Sequence, residues 1–170
     1  MPTSNPENKL WAIRKIKAIN PKTVLDVGTG QGDYLELIRS YLPSDIIIDG
    51  IEAWEPYVEQ FKLKERYNNL FIQDAREFEN FQYDLVICGD VLEHMSEKDA
   101  VDLWCKISKQ AKHGMISIPI IHHPQGAYEG NPWEIHHEED WNTKRVLDKF
   151  HGIVEYKEFD VTGTFIGRFK

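Results

Sequence analysis

Cysteine is scarce in this chain, with Cys88 and Cys105 as its only two. One falls in an apolar strand pattern and the other in a helical one, so both read as reduced, core-packed thiols rather than a disulfide staple. Long hydrophobic runs are also missing. No stretch approaches the ~20 apolar residues of a membrane span, and the N-terminal MPTSNPENK has no apolar segment behind a basic start. These absences lead to the expectation of a soluble, cytoplasmic protein with no membrane partner. Positive charge is in deficit as well: the formal net charge is −8, which disfavours nucleic acid as a partner while leaving room for a local basic patch. Repeats and low-complexity stretches, which would mark an internal boundary, do not occur. What remains is 170 residues, 41% hydrophobic and 12% aromatic, enough for one domain with a real core and too little for two. A single domain over residues 1–170 is therefore expected, with the oligomeric state left open.

The densest signal lies at residues 24–33, VLDVGTGQGD. An apolar run closed by an acid, then glycines at positions 28, 30 and 32, predicts a buried strand, a tight turn and the opening of a helix. Gly28, Gly30 and Gly32 can take positive φ at little cost, and without Cβ atoms they let backbone approach a bound molecule. A helix opening near Gly32 turns its free N–H groups into the same crevice. The spacing is G-x-G-x-G, not the dinucleotide fingerprint G-x-G-x-x-G. Asp26 beside the loop suits a cationic ligand better than a pyrophosphate, which it would repel.

On these residues the chain resembles the class I methyltransferases that use S-adenosylmethionine (SAM), whose first motif has this form. The resemblance implies SAM as cofactor, with Gly28, Thr29, Gly30 and Gly32 wrapping its amino acid end and Asp26 helping to orient its ammonium group. A second motif carries the resemblance further. The apolar run YDLVICG at 83–89 leads into Asp90-Val91-Leu92-Glu93-His94-Met95, and a fourth strand ending in D-x-L-E-H is frequent in the small-molecule members of that class. In a doubly wound sheet the ends of the first and fourth strands flank the crevice. Asp90 is thus expected near the sulfonium or substrate, with Val91 and Leu92 walling the adenine side.

Ahead of the first motif, an amphipathic helix over 6–20, started by Asn5-Pro6, carries Leu10, Ile13, Ile16 and Ile19 and stops at Asn20-Pro21. The first strand, 23–27, opens a cofactor half that runs to residue 95. A second strand over 45–51 ends at Glu52, twenty residues after Gly32, where an acid in nucleotide-binding folds of this kind accepts from the ribose hydroxyls. The family resemblance transfers that role to Glu52, places Ala53 and Trp54 beside the adenine, and assigns Asp74 and Ala75, after a strand over 70–73, to the base. Asp74 is also a natural N-cap. Helices are expected after Pro56, after Ser96 with its capping-box spacing to Asp99, and over Thr143, Val146, Leu147 and Phe150 capped by Asp140.

After a fifth strand over 114–119, residues 120–140 form a connection far longer than the usual two to six residues. It carries His122, His123, His136 and His137 together with Tyr128, Trp133 and several glutamates, and is expected to supply the substrate contacts. His94, His136 and His137 are the candidate proton acceptors, imidazole being the side chain that titrates near neutrality. A metal held by the loop is a competing reading. The adjacent His pairs cannot easily share one ion and no H-x-x-x-H spacing occurs, so no metal is expected. Strands over 152–159 and 162–169 complete the chain.

Alternating strands and helices argue for a doubly wound α/β sheet on pattern alone. The resemblance adds a seven-stranded Rossmann-like sheet of order 3-2-1-4-5-7-6 with strand 7 antiparallel. It also implies methyl transfer from SAM to an O, N or C atom of a small molecule. Two rival readings share these motifs: a non-catalytic protein that binds SAM or S-adenosylhomocysteine (SAH) as a sensor or partner subunit, and another SAM-using transferase such as an aminopropyl transferase. No Asn-Pro-Pro-Tyr or Asp-Pro-Pro-Tyr segment follows the fourth strand, a departure that disfavours nucleic acid acceptors.

Overall fold

The computed structural model describes residues 6–169. The cap expected at Asn5 lies outside the described residues. Seven strands form one sheet: β1 (Thr23–Val27), β2 (Ile47–Glu52), β3 (Leu70–Ile72), β4 (Leu85–Gly89), β5 (His113–Pro119), β6 (Ile153–Glu158) and β7 (Thr162–Arg168). Their order is β3-β2-β1-β4-β5-β7-β6, with β1 to β5 parallel and β7 antiparallel to both β5 and β6. Both the strand order and the antiparallel seventh strand match the expectation.

The inner parallel strands β1, β2, β4 and β5 are buried on both faces, which is why they read as near-continuous apolar runs. Alternate residues divide between two cores. Val24, Ile48, Leu85 and Ile87 pack with α1 (Lys9–Ile19) and α2 (Asp33–Tyr41) on one face. Leu25, Val27, Val86 and Cys88 pack with α5 (Glu97–Gln110) on the other. Asp26 shares the parity of Val24, so its carboxyl is carried to the α1/α2 side at the end of the strand. The same alternation leaves Gly89, the last residue of β4, beneath the Tyr34 ring: a Cβ there would lie 2.1 Å from Tyr34 Cε2. Gly89→Val should therefore lower stability by about 1–3 kcal/mol through overpacking, measured by denaturant unfolding against wild type; equal midpoints would mean that the ring has room to move.

Several local expectations are corrected. The helix after Pro56 is broken into α3 (Glu55–Gln60) and α4 (Leu63–Arg66), because Lys62 takes a left-handed φ of 52°. In α6 (Thr143–Lys149) Val146 and, just after it, Phe150 are buried one turn apart, whereas Leu147, ~100° further round the helix, is exposed. Leu10 on α1 likewise faces outward. The cap of α6 is Asn142, which accepts from the Arg145 N–H; Asp140 instead pairs with His122. The residue before α1, Asn8, is fully buried and donates to Ser117 Oγ at 2.7 Å and Thr164 Oγ1 at 3.0 Å. That side chain fastens the leading helix to the ends of β5 and β7, above the site.

Candidate active site

The sheet order reverses between β1 and β4, and an α/β sheet opens its crevice at that switch point. A cavity of about 420 Å³ lies there, at the carboxyl ends of β1, β2 and β4, within the range of small-molecule sites. Its floor is the glycine loop. Gly28, Gly30 and Gly32 all have positive φ, at 68°, 50° and 88°, and the N–H groups of Gly28 and Thr29 donate to the Ile51 carbonyl. The turn is thereby locked onto β2. Gly28, Thr29 and Gly30 line the cavity; Gly32 does not. Gly32 caps α2 with a left-handed φ of 88°, so its requirement for glycine comes from the backbone conformation that opens the helix.

Glu52 and Ala53 form the next wall. The Glu52 carboxylate, only 5% exposed, accepts from the Gly30 N–H at 2.9 Å, Thr29 Oγ1 at 3.1 Å and the Trp54 N–H at 2.8 Å. Three of its roughly four lone-pair directions are thus taken, two on Oε2 and one on Oε1. Burial raises its pKa above the usual carboxylate range, opposed by those hydrogen bonds. Trp54, expected at the adenine, is absent from the cavity wall; it holds the position before α3 and contributes its backbone N–H. Asp74 and Ala75 line the cavity, and Asp74 also caps a short 3₁₀ turn and pairs with Arg76 at 2.6 Å.

Asp26 lines the cavity as expected and accepts from the Tyr67 hydroxyl at 2.6 Å. Burial pushes its pKa up to about 7, with the Tyr67 hydrogen bond and the Lys9 ammonium pulling it down and Asp33 and Glu52 pushing it further up. Asp90 takes a left-handed φ of 56° and accepts from Ser117 Oγ at 2.8 Å. That turn aims Val91 at Gly28, whose absent Cβ would sit 2.4 Å from Val91 Cγ2. Leu92, expected beside the adenine, is fully buried in the α5-side core instead.

The long connection folds over this cavity as a roof. His136 N–H donates to the Gln125 carbonyl, and the N–H groups of His137 and Glu138 both donate to the Glu93 carbonyl. Arg145 anchors the end of the segment by pairing with both Glu97 and Glu138 at 2.7 Å. In extended chain, successive side chains point opposite ways, so each His pair divides. His136 is buried and lines the cavity, whereas His137 is exposed and does not; His123 lines it and His122 pairs with Asp140 outside. His137 is thus not brought to the site.

His94 and His136 are brought together, with ring centroids 4.7 Å apart. Burial lowers the pKa of both, the proximity of each to another imidazole adding to it, so both rings are neutral at pH 7. Beneath them Glu93 is 1% exposed, and burial, with Asp90 and Glu134 nearby, drives its pKa well above the carboxylate range. Gln125 and Asn131 from the roof also line the cavity without having been singled out in the sequence, beside Trp133 and Glu134, which were among the expected loop contacts. Glu134 accepts from the Tyr57 hydroxyl at 3.1 Å. The available signal was the alternation of Glu134 and His136 in a segment assigned only as loop.

A profile for methyltransferase domains matches residues 24–114. The chain belongs to that family. It is a SAM-dependent methyltransferase of Rossmann-like fold, and its matched region ends inside β5, so the roof, α6, β6 and β7 lie beyond it. Solved structures agree on the fold. A proposed O-methyltransferase of Nostoc punctiforme PCC 73102 superposes with a TM-score of 0.70 at 16% identity, over 94% of this chain and 55% of that one; this methyltransferase therefore spans about half the length of that protein. The methyltransferase domain of a bacterial Hen1 gives 0.70 at 20% identity over 95% and 97%. Magnesium protoporphyrin IX methyltransferase of Synechocystis PCC 6803, with SAM bound, gives 0.64 at 19% over 96% and 78%. No curated protein matches in sequence. The cavity fits SAM, a nucleoside with two positive groups: carboxyl groups at 26, 52, 74 and 90 line it, and a left-handed glycine turn admits close backbone approach.

Proposed function

We propose that this methyltransferase methylates an oxygen or nitrogen of a small-molecule acceptor held between the roof, residues 120–140, and the His94–His136 pair. In this reading the cofactor half, residues 23–95, uses Asp26 toward the SAM ammonium, Gly28 to Gly30 toward its carboxylate end, Glu52 toward the ribose, and Asp74 with Ala75 toward the adenine. Val91 packs against the cofactor, and Asp90 faces the reacting centre. The observation that carries the acceptor class is the roof itself. It closes the cavity with short polar groups, Gln125, Asn131 and Glu134, and the one Arg or Lys on the described wall, Arg76, is engaged by Asp74 and Asp99. Such a wall supports an uncharged or cationic small molecule over a polyphosphate chain.

Bound SAM supplies an electrophilic methyl group. The chain's task is to hold the acceptor atom in line with it, which can provide most of the acceleration, while the neutral imidazoles of His94 and His136 present lone pairs to the acceptor's polar end. Work in a reducing compartment such as the cytoplasm belongs to the same reading, both thiols being free.

The test is SAH formation and product mass with a panel of phenols, catechols, hydroxy acids and amines. With a competent acceptor, His136→Ala should lower kcat/KM about tenfold or more and leave SAM affinity within about twofold, whereas His137→Ala should change neither. Equal loss in the two variants, or loss of SAM binding in His136→Ala, would remove the roof from the acceptor site.

A further inference from the structure

We propose that Glu93, His94 and His136 form a binding site for one divalent transition-metal cation, with an open position toward the cavity for the acceptor's oxygen or nitrogen. This deepens the function proposed above and takes the position of the acceptor from it. One donor atom from each of the three side chains lies within 4.8 Å of the other two. Donors on one ion at about 2.0–2.2 Å lie at most ~4.4 Å apart, so side-chain rotations of a few tenths of an ångström bring all three onto a single ion.

The hydrogen bonds orient both histidines as ligands. His94 Nδ1 lies 3.4 Å from the Ile135 carbonyl and His136 Nδ1 lies 2.6 Å from the His123 carbonyl. A carbonyl only accepts, so each Nδ1 carries the proton and each neutral ring keeps its lone pair on Nε2. Metal-bound imidazoles are held in this manner, with the second nitrogen donating to a carbonyl or carboxylate. Both carbonyls belong to the roof, so closure of residues 120–140 both delivers His136 and fixes the tautomers.

Glu93 is the independent observation. Its Oε2 is buried and has no hydrogen-bond partner, and the side chain faces the cavity from a residue that is 1% exposed. An unpartnered buried carboxyl oxygen is expensive. A divalent cation, displacing the carboxyl proton, satisfies that oxygen. Two imidazoles and one carboxylate suit Zn²⁺, Mn²⁺, Co²⁺ and related ions, and three protein ligands leave coordination positions free. Acceptors with a ligating heteroatom, such as a catechol or an α-hydroxy acid, fit the open side.

The experiment is calorimetric titration of the chelator-treated full chain with ZnCl₂, MnCl₂ and CoCl₂ separately, without SAM, together with visible absorption of the Co²⁺ form. SAH affinity is measured on every sample. The expected result is one equivalent of at least one cation, Co²⁺ bands showing imidazole ligation, and binding weakened at least ~10-fold in Glu93→Gln and in His136→Ala, with His137→Ala unchanged. If either variant loses SAH binding through misfolding, the other variant and the Co²⁺ spectrum decide. Stoichiometric binding of none of the three cations, or equal binding in both variants, overturns the site. SAH binding without cation binding rejects the metal and leaves methyl transfer standing. Cation binding without product from any acceptor rejects the acceptor class and leaves the site standing.

Discussion

Asp26→Ala combined with Glu52→Ala should abolish SAM and SAH binding, weakening affinity by at least ~100-fold, about 2.7 kcal/mol. Glu52 is the larger contributor because its carboxylate serves two purposes. It joins the glycine loop to the end of β2 through Thr29, Gly30 and Trp54, and Oε1, with one donor where Oε2 has two, keeps a lone pair for a ribose hydroxyl. Truncation leaves the Gly30 N–H and the Thr29 hydroxyl without their acceptor, at about 1–3 kcal/mol for each buried group. The single Glu52→Ala variant should therefore lower the melting temperature as well as affinity. Asp26→Ala removes an acid that accepts from the Tyr67 hydroxyl and from no atom of the glycine loop among the described residues, and should leave the loop conformation intact. Calorimetry with SAH and thermal melts of the three variants separate the two effects. Unchanged affinity in the double variant would show that the cofactor crevice has been misplaced.

SAM affinity should rise as pH increases from about 6 to 8, with Asp26 as the titrating group. Its carboxyl has a pKa of about 7 in the folded chain, whereas an unperturbed Asp lies near ~3.9. The folded chain thus retains a proton that the unfolded chain releases. Stability from the protonated carboxyl is fully present below about pH 4 and is lost as pH rises through 7. Binding runs the other way, because an ammonium prefers the ionised carboxylate. The groups that set the value are the Tyr67 hydroxyl, Lys9, Asp33 and Glu52. Lys9 lies with its ammonium 3.5 Å from the centre of the Tyr34 ring. Asp26→Asn should therefore be more stable than wild type at pH 8, indistinguishable from it near pH 4, and weak in SAM binding at every pH. Tyr67→Phe, which removes the hydrogen bond to the carboxylate, should move the midpoint of the binding profile upward. A flat affinity between pH 6 and 8 in wild type would show that Asp26 does not meet the ammonium.

Legibility along the chain followed the range of the interactions. The glycine turn, Asp26, Glu52 and the segment after β4 could be placed because strand, turn and acid lie within a few residues of one another and parallel strands align their ends. Trp54, Gly32 and Leu92 were misplaced because neighbours in sequence need not share a direction. A strand end or a 3₁₀ turn rotates successive side chains, sending Leu92 into the core while Val91 and Glu93 reach the cavity. Glu93, read only as the companion of His94, is the buried carboxylate on which the metal proposal rests. Nothing in its local sequence distinguishes a solvated glutamate from a buried one.

By itself the sequence determined the doubly wound sheet and the glycine loop with Asp26, which depend on periodicity or on spacing within one strand-turn-helix unit; the resemblance of two motifs to a known family added the expectation of SAM. Only the tertiary structure decided which histidines face the cavity. The roof pairs its backbone with Glu93 and Gln125, contacts 44 and 11 residues distant along the chain (137 − 93 and 136 − 125), and that pairing points His136 inward and His137 outward. A one-residue shift of an extended segment exchanges the two faces, and the register is set by hydrogen bonds between distant segments that no local pattern encodes.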